Sequence, residues 1–276
     1  MTRAASAAPD PGFLLPTASL WLREVVRFLR QRNRIAGALG TPLIFWLMLG
    51  SGYGTSFRAP AAPDPAAGGY LAYFFPGSLV LILFFTAIYS TISIIEDRRE
   101  GFLQSVLVAP VPRSSLVAGK VLGGTSVALL QSLLFLLLAP WAGIRLGFAS
   151  IVATTGILAL IAFGLTGLGF LLAWRMESTQ GFHAVMNLVL MPMWMLSGAL
   201  FPVSGAAGWL AVIMRLNPLT YGVAAVRRCL YLSDRLAPQG GIPALPLSLG
   251  ITVGFCLITF AASTVMVGRR VPEGRP

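Results

Sequence analysis

Ser90–Gly124 reads STISIIEDRREGFLQSVLVAPVPRSSLVAGKVLGG. Glu96, Asp97, Arg98, Arg99 and Glu100 form an unbroken charged run closed by Gly101, with long apolar sequence on both sides. Phe102, Leu103, Val106 and Leu107 follow at helical spacing, so an amphipathic helix of about two turns is expected there. Glu96, Asp97 and Glu100 lie at or before its start, where carboxylates suit the helix dipole. Pro110 and Pro112 end it, because proline supplies no backbone N–H. Ser114 or Ser115 then stands where the next helix needs a cap. A short helix held between two apolar runs by rigid joints can press on a soluble partner and pass the motion to both runs. An ordinary charged loop is the plainer alternative.

Composition says what the apolar runs are. The chain has 276 residues, 56% hydrophobic and 11% charged, where soluble domains carry about 25% charged residues. That much apolar surface calls for a bilayer, and an all-α membrane protein is expected. A crossing needs about 20 mostly apolar residues. The runs that qualify are 36–53, 71–95, 116–141, 151–174, 182–201 and 245–267, giving six transmembrane helices in one transmembrane domain, 19–268. Residues 1–18 are expected to be a flexible tail and 269–276 a C-terminal tail. Residues 1–20 lack the pattern of a cleaved signal peptide.

Basic residues set the orientation. With the N-terminus inside, Arg3, Arg23, Arg27, Arg30, Arg32, Arg34, Arg98, Arg99, Arg113, Lys120, Arg175, Arg269, Arg270 and Arg275 are cytoplasmic, 14 in all. Arg58, Arg145, Arg215, Arg227, Arg228 and Arg235, 6 residues, are outside. Both termini are therefore expected in the cytoplasm. The formal charge of +11 sits beside apolar runs, which suits an anionic membrane face rather than nucleic acid.

Two further stretches carry structure. In LWLREVVRFLRQRNR, Trp21, Leu22, Val25, Phe28 and Leu29 repeat at helical spacing, with Arg23, Arg27, Arg30 and Arg34 on another face. An interfacial helix with its arginines toward lipid phosphates is expected. Trp209–Met214 and Leu219–Leu232 are apolar but too short to cross, and Asn217-Pro218 breaks them. Two short helices dipping into the outer leaflet and packing on the bundle fit best. The loop PAAPDPAAGG, residues 60–69, is expected to be mobile.

No catalytic constellation is legible. The chain has no H-E-x-x-H, no nucleophile elbow and no Cys/His cluster, so no catalytic residue and no metal ligand is assigned. Cys229 and Cys256 read as small hydrophobes, and the lone His183 as a packing residue. In AGKV, Val121 stands where a phosphate loop needs a hydroxyl and Ser114 where it needs its first glycine. ATP, if it drives this chain, binds elsewhere. No acidic residue falls inside a span, against an ion-coupled carrier. A membrane-embedded lipid-modifying enzyme would have only Glu96, Asp97 and Glu100 to work with.

The order of these features resembles the integral-membrane permease of type-2 ABC exporters, among them bacterial drug-efflux and nodulation-factor export permeases. The resemblance rests on EDRREGFLQSVLVAPVPRSSLVAGK after the second span and NPLTYGVAAVRR after the fifth, and covers residues 15–270. It implies that Glu96–Pro110 docks on a separate cassette ATPase, with Arg113 and Lys120 as the basic positions that follow. Gln104 stands where the family often has an acid. Asn217, Pro218, Leu219, Thr220 and Tyr221, with Arg227, match the family's outer re-entrant pair. The resemblance also implies two permease chains, identical or related, over two ATPase chains. ATP and magnesium would sit on the partner, and this chain in the cytoplasmic (inner) membrane. An amphiphilic substrate would leave outward. Met186, Met191, Met193, Trp194 and Met195 crowd the fifth span and could line its path, or face lipid. The glycine pairs Gly119/Gly123 and Gly50/Gly54 permit close helix approach, and either could serve chain pairing.

Overall fold

A computed structural model describes residues 12–53, 69–232 and 242–269. Within them the chain is helical, without strands. Helix α1 spans Leu14–Arg30, α2 Arg32–Tyr53, α3 Gly69–Arg99, α4 Phe102–Val108, α5 Arg113–Leu136 and α6 Phe148–Arg175. Next come α7, Thr179–Ala199, then α8, Gly208–Leu216, α9, Pro218–Leu230, and α10, Leu245–Gly268. Six of these are long and apolar enough to cross a bilayer: α2, α3, α5, α6, α7 and α10. The chain is thus an all-α integral membrane protein. The loop at 60–69, apart from Gly69, and the tails at 1–11 and 270–276 lie outside the described residues.

Helix α3 is the axis of the bundle. From Tyr70 to Ile95 nearly every side chain is buried, which explains its lack of a polar face: neighbours surround it on all sides. It packs against α2, α5 and α6, and α10 lies against α6. Trp46 of α2 meets the rings of Phe75 and Phe135 edge-on, each at 5.5 Å. Its indole donates to the Leu71 carbonyl at 2.9 Å. Helices α2 and α10 are the least covered of the spanning helices.

Several expectations need correction. The first helix begins at Leu14, inside the supposed tail, and Ser115 donates to the Phe13 carbonyl at 3.2 Å. Ser115 therefore caps nothing; Pro112 is the N-cap of α5 and brings no side-chain bond. Helix α5 stops at Leu136 because a 3-10 turn, Ala139–Ala142, closes on Gly143. In α1 the inward face is Leu20, Glu24 and Phe28, while Trp21, Leu22 and Leu29 are exposed where lipid would lie.

Gly119, Gly123 and Gly50 are all taken up by contacts within the chain. A Cβ on Gly119 would stand 2.6 Å from Leu20 Cβ, and one on Gly123 would stand 2.6 Å from Glu24 Cβ. Helix α1 lies in the groove these glycines open on α5. Gly50 is closed off by Leu71 of the same chain, and Gly54 lies outside the described residues.

Candidate functional site

The charged run joins α3 to α4 at one end of the bundle. Both described termini lie there: Ser115 donates to the Phe13 carbonyl, and Arg113 donates to the carbonyls of Val267 and Gly268 at 3.0 and 2.9 Å. Helix α3 carries the run outward as far as Arg99, and Glu100 and Gly101 turn the chain. Gly101 has φ +76°, a left-handed conformation that only glycine adopts freely. The short helix α4 follows.

Helix α4 presents its apolar stripe to its own chain. Leu103 is only 3% exposed and belongs to the hydrophobic core, with Phe102, Val106 and Leu107 packed against it. Gln104, Ser105, Val108, Ala109 and Pro110 are exposed, Val108 to 83%. The stripe is therefore not available as an outward face. A seven-residue helix hung on one glycine holds position largely by burying its greasy side on the bundle.

Glu96 and Asp97 do not sit at the start of α4 as dipole partners, while Glu100 stands directly before its N-cap, Gly101. Glu96 and Asp97 lie in the last turns of α3, the end where the helix field disfavours anions. Four cations compensate. Asp97, with no exposure, accepts from Arg23 at 2.7 and 3.0 Å, from Arg27 at 2.6 Å and from Lys120. Glu96 accepts from Arg27 at 2.8 Å and from Arg34 at 2.5 Å. Lys120 also donates to Glu24 at 2.6 Å and to Ser93 at 3.1 Å. Ser93 donates to the other Glu24 oxygen at 2.6 Å. The Arg23 guanidinium lies 3.6 Å from the Phe102 ring centre, and its bonds to Asp97 raise its pKa above the ordinary arginine value.

Arg23, Arg27 and Arg34 thus turn inward to carboxylates, not outward to lipid phosphates; Arg30 and Arg32 remain exposed. Charge-assisted bonds in a dry setting outcompete mobile phosphates in water. Lys120, buried in this cluster, is not a surface contact. The pairing of Arg23 and Arg27 with Asp97, of Arg34 with Glu96, and of Glu24 and Ser93 with Lys120 was not foreseen. The available hint was one acid, Glu24, set among the α1 arginines.

On its other flank the run holds backbone. Arg98 donates to Met176 O at 2.9 Å and to Trp174 O. Arg99 donates to Glu177 O at 3.0 and 3.2 Å. The joints of α4 therefore reach α1, α2, α5, the α6–α7 turn and the end of α10.

At the opposite end, α8 and α9 meet at an 82° bend. Asn217 makes the corner, accepting from Leu219 N at 3.0 Å as the N-cap of α9. Its amide donates to Met193 O of α7 at 2.5 Å. The Thr220 hydroxyl lies 2.6 Å from Met214 O and 3.3 Å from Leu196 O. Tyr221 donates to Arg215 O at 2.9 Å. Buried Arg227 donates to Tyr73 O at 3.2 Å and to Gly198 O at 3.3 Å, with its guanidinium 4.3 Å from the Tyr73 ring. Pro218 starts α9 at its first turn and Leu219 is buried beneath it.

These bonds answer a need in α7. It widens into π-helical turns over Met186–Leu190 and Met195–Ala199, and Gly198 takes φ +78°. Such a break releases carbonyls that must find partners at membrane depth. Asn217, Thr220, Arg227, Tyr73 and Tyr70 supply them, Tyr70 donating to Leu200 O at 2.9 Å and Tyr73 to Gly198 O at 3.2 Å. The α7 residues named as a substrate path do not share one face. Met186 and Trp194 are buried, Met191 and Met193 half-buried, and Met195 exposed. Among the described residues no group of His, Cys, Asp and Glu is placed to hold a metal ion. His183 is exposed, its ring near those of Tyr89 and Phe182.

Six helices long and apolar enough to cross a bilayer, a short helix on a charged joint at one end and a bent helix pair at the other define the class, an integral membrane protein. The ABC-2 type transporter family matches residues 17–231. A putative transport permease, ycf38, of Cyanophora paradoxa is 33% identical over 74% of this chain and 70% of its own. Nodulation protein J of Neorhizobium galegae is 22% identical over 95% of this chain and 97% of its own. The inner membrane transport permease YadH of Escherichia coli K12 is 24% identical over 76% and 80%. The chain belongs to the ABC-2 type transporter family, as a transport permease subunit rather than an enzyme.

Proposed function

We propose that this chain is the membrane half of an ATP-driven exporter whose ATPase docks on the exposed face of α4. Gln104, Ser105 and Val108 form the docking face, while Leu103 and its neighbours fasten α4 to the bundle. The division of α4 into a buried stripe and an exposed face carries this reading: Leu103 is 3% and Val108 83% exposed. The charged end faces the cytoplasm, in line with the basic bias, and ATP and magnesium bind to the partner. Two permease chains, identical or closely related, sit over two ATPases. Exposed apolar side chains such as Met48, Leu188 and Met195 leave area for a second chain or lipid. The substrate is amphiphilic and leaves outward, as suits helices rich in Met, Phe and Trp.

The test pairs two substitutions, in chains co-expressed with each cassette ATPase of the same genome in turn. Val108→Asp should insert and stay folded yet lose the ATPase on purification. Leu103→Asp should lose fold stability first, because burying a leucine is worth about 1.5–3 kcal/mol and the new carboxylate has no partner there. Full ATPase recovery with Val108→Asp removes the docking face. Failure of the unaltered chain to recover any ATPase removes the whole reading.

A further inference from the structure

The turn between α5 and α6 holds two aromatic side chains almost clear of the protein, Trp141 at 79% and Phe148 at 85% exposure. Arg145 lies between them in sequence and is exposed too. The turn is firmly built. Ala139–Ala142 is a 3-10 turn closed by Gly143 at φ +76°, and the N–H groups of Gly143 and Ile144 donate to Pro140 O and Ala139 O, each at 3.0 Å. Ala139, Ala142 and Ile144 are buried in the core beneath. These three fix the turn and leave Trp141, Arg145 and Phe148 outside.

Apolar side chains held out in this way call for a cover. On α5 the exposed Leu130, Leu134 and Leu137 lead up to Trp141 at helical spacing, and on α6 the exposed Ile151 and Val152 follow Phe148. The lower part of this stripe belongs to spanning helices, whose solvent is acyl chain. Helix α5 starts at the charged end and has 24 residues, so it is about 36 Å long at the usual helical rise. A hydrocarbon core is about 30 Å thick, and the chain has crossed it when the turn begins. The turn therefore stands at headgroup depth, where tryptophan is favoured. Charge decides between lipid and a second copy of this chain. Every described acid, Glu24, Glu96, Asp97, Glu100 and Glu177, belongs to the charged end. A second copy thus offers Arg145 no described carboxylate at this end. A phospholipid offers a phosphate, which a guanidinium can bind through two parallel hydrogen bonds, and acyl chains directly beneath it.

We propose that the α5–α6 turn is a lipid-binding wedge. Arg145 holds the phosphate of one phospholipid, while Trp141 and Phe148 seat in the leaflet beside it and set the height of α5 and α6 in the membrane. The function proposed above decides only which leaflet this is, the outer one; the binding is a property of this chain alone.

The full chain, with Cys229 and Cys256 replaced by alanine, is placed in nanodiscs of phosphatidylcholine and phosphatidylglycerol. Spin labels go to Leu130→Cys, Ala149→Cys and Gln104→Cys, all at exposed positions. Each is read by collision with oxygen, which concentrates among acyl chains, and with a nickel chelate, which stays in water. The oxygen-to-nickel ratio at 149 should fall between those at 130 and 104. A ratio equal to either control overturns the wedge, and so does a label at 149 shielded from both reagents, which would mean a protein cover. Native mass spectrometry of the detergent-extracted chain with added phosphatidylglycerol tests the phosphate contact. Arg145→Gln should lose one bound phosphatidylglycerol per chain, and unchanged retention overturns the proposal. Neither measurement involves the ATPase or a known sidedness. A failed wedge therefore leaves the docking reading intact, and a failed docking reading leaves the wedge.

Discussion

Gly123→Ala adds a single methyl group between α5 and α1, and its effect can be worked out from the groove. The new Cβ would stand 2.6 Å from Glu24 Cβ, 3.3 Å from Glu24 Cγ and 3.4 Å from Trp21 O. Carbon atoms pack at about 3.5–4.0 Å, so α1 must retreat by about 1 Å. The other contacts oppose that movement: Glu24 is held by Lys120 and by Ser93, each at 2.6 Å. Overpacking of this kind costs about 1–3 kcal/mol, and stretched ion pairs push the value toward the upper end. Gly156→Ala is the matched control, since its Cβ meets nothing within 4 Å. There alanine should gain about 0.5–1 kcal/mol from helix propensity. Equilibrium unfolding by sodium dodecyl sulfate titration in mixed micelles measures both. Gly119→Ala, whose Cβ would meet Leu20 Cβ at 2.6 Å and Thr17 O at 3.0 Å, should resemble Gly123→Ala. If Gly123→Ala proves as stable as Gly156→Ala, α1 does not lie in this groove and the ion cluster built on it fails too.

Asn217→Ala should cost about 1–3 kcal/mol in the same titration, from a lost N-cap and an orphaned Met193 carbonyl. Asn217→Asp keeps the cap but not the donor to α7, so equal stability of Asp and Asn would show that the tie to α7 contributes nothing. Sidedness is read with an impermeant thiol reagent on intact cells: Trp209→Cys, at a position 70% exposed, should react, and Gln104→Cys should not. The reverse pattern would invert the proposed orientation.

Much of the architecture is legible in the sequence, because its causes are local. A membrane span announces itself by length and hydropathy, and the six expected runs match helices α2, α3, α5, α6, α7 and α10. The Asn217-Pro218 break is equally local: proline forces the preceding residue out of the helical region, and the observed bend falls there. The short helix after Gly101 is legible from its spacing. The candidate site is legible as a place, but not as a set of contacts.

What the tertiary structure alone decided was direction. Periodicity shows that α4 has an apolar face but not what covers it; packing turns Leu103 into the chain's own core and leaves Gln104 and Val108 outside. The α1 arginines could equally have faced lipid. They turn inward because Glu96 and Asp97, about 70 residues away along the chain, are brought within hydrogen-bond reach when α1 settles into the Gly119/Gly123 groove. Composition and pattern specify each helix, since hydropathy and turn chemistry act over a few residues. Partners remote in sequence are chosen only when the helices pack, because an ion pair or a glycine contact depends on distance in space, and no local pattern encodes that distance.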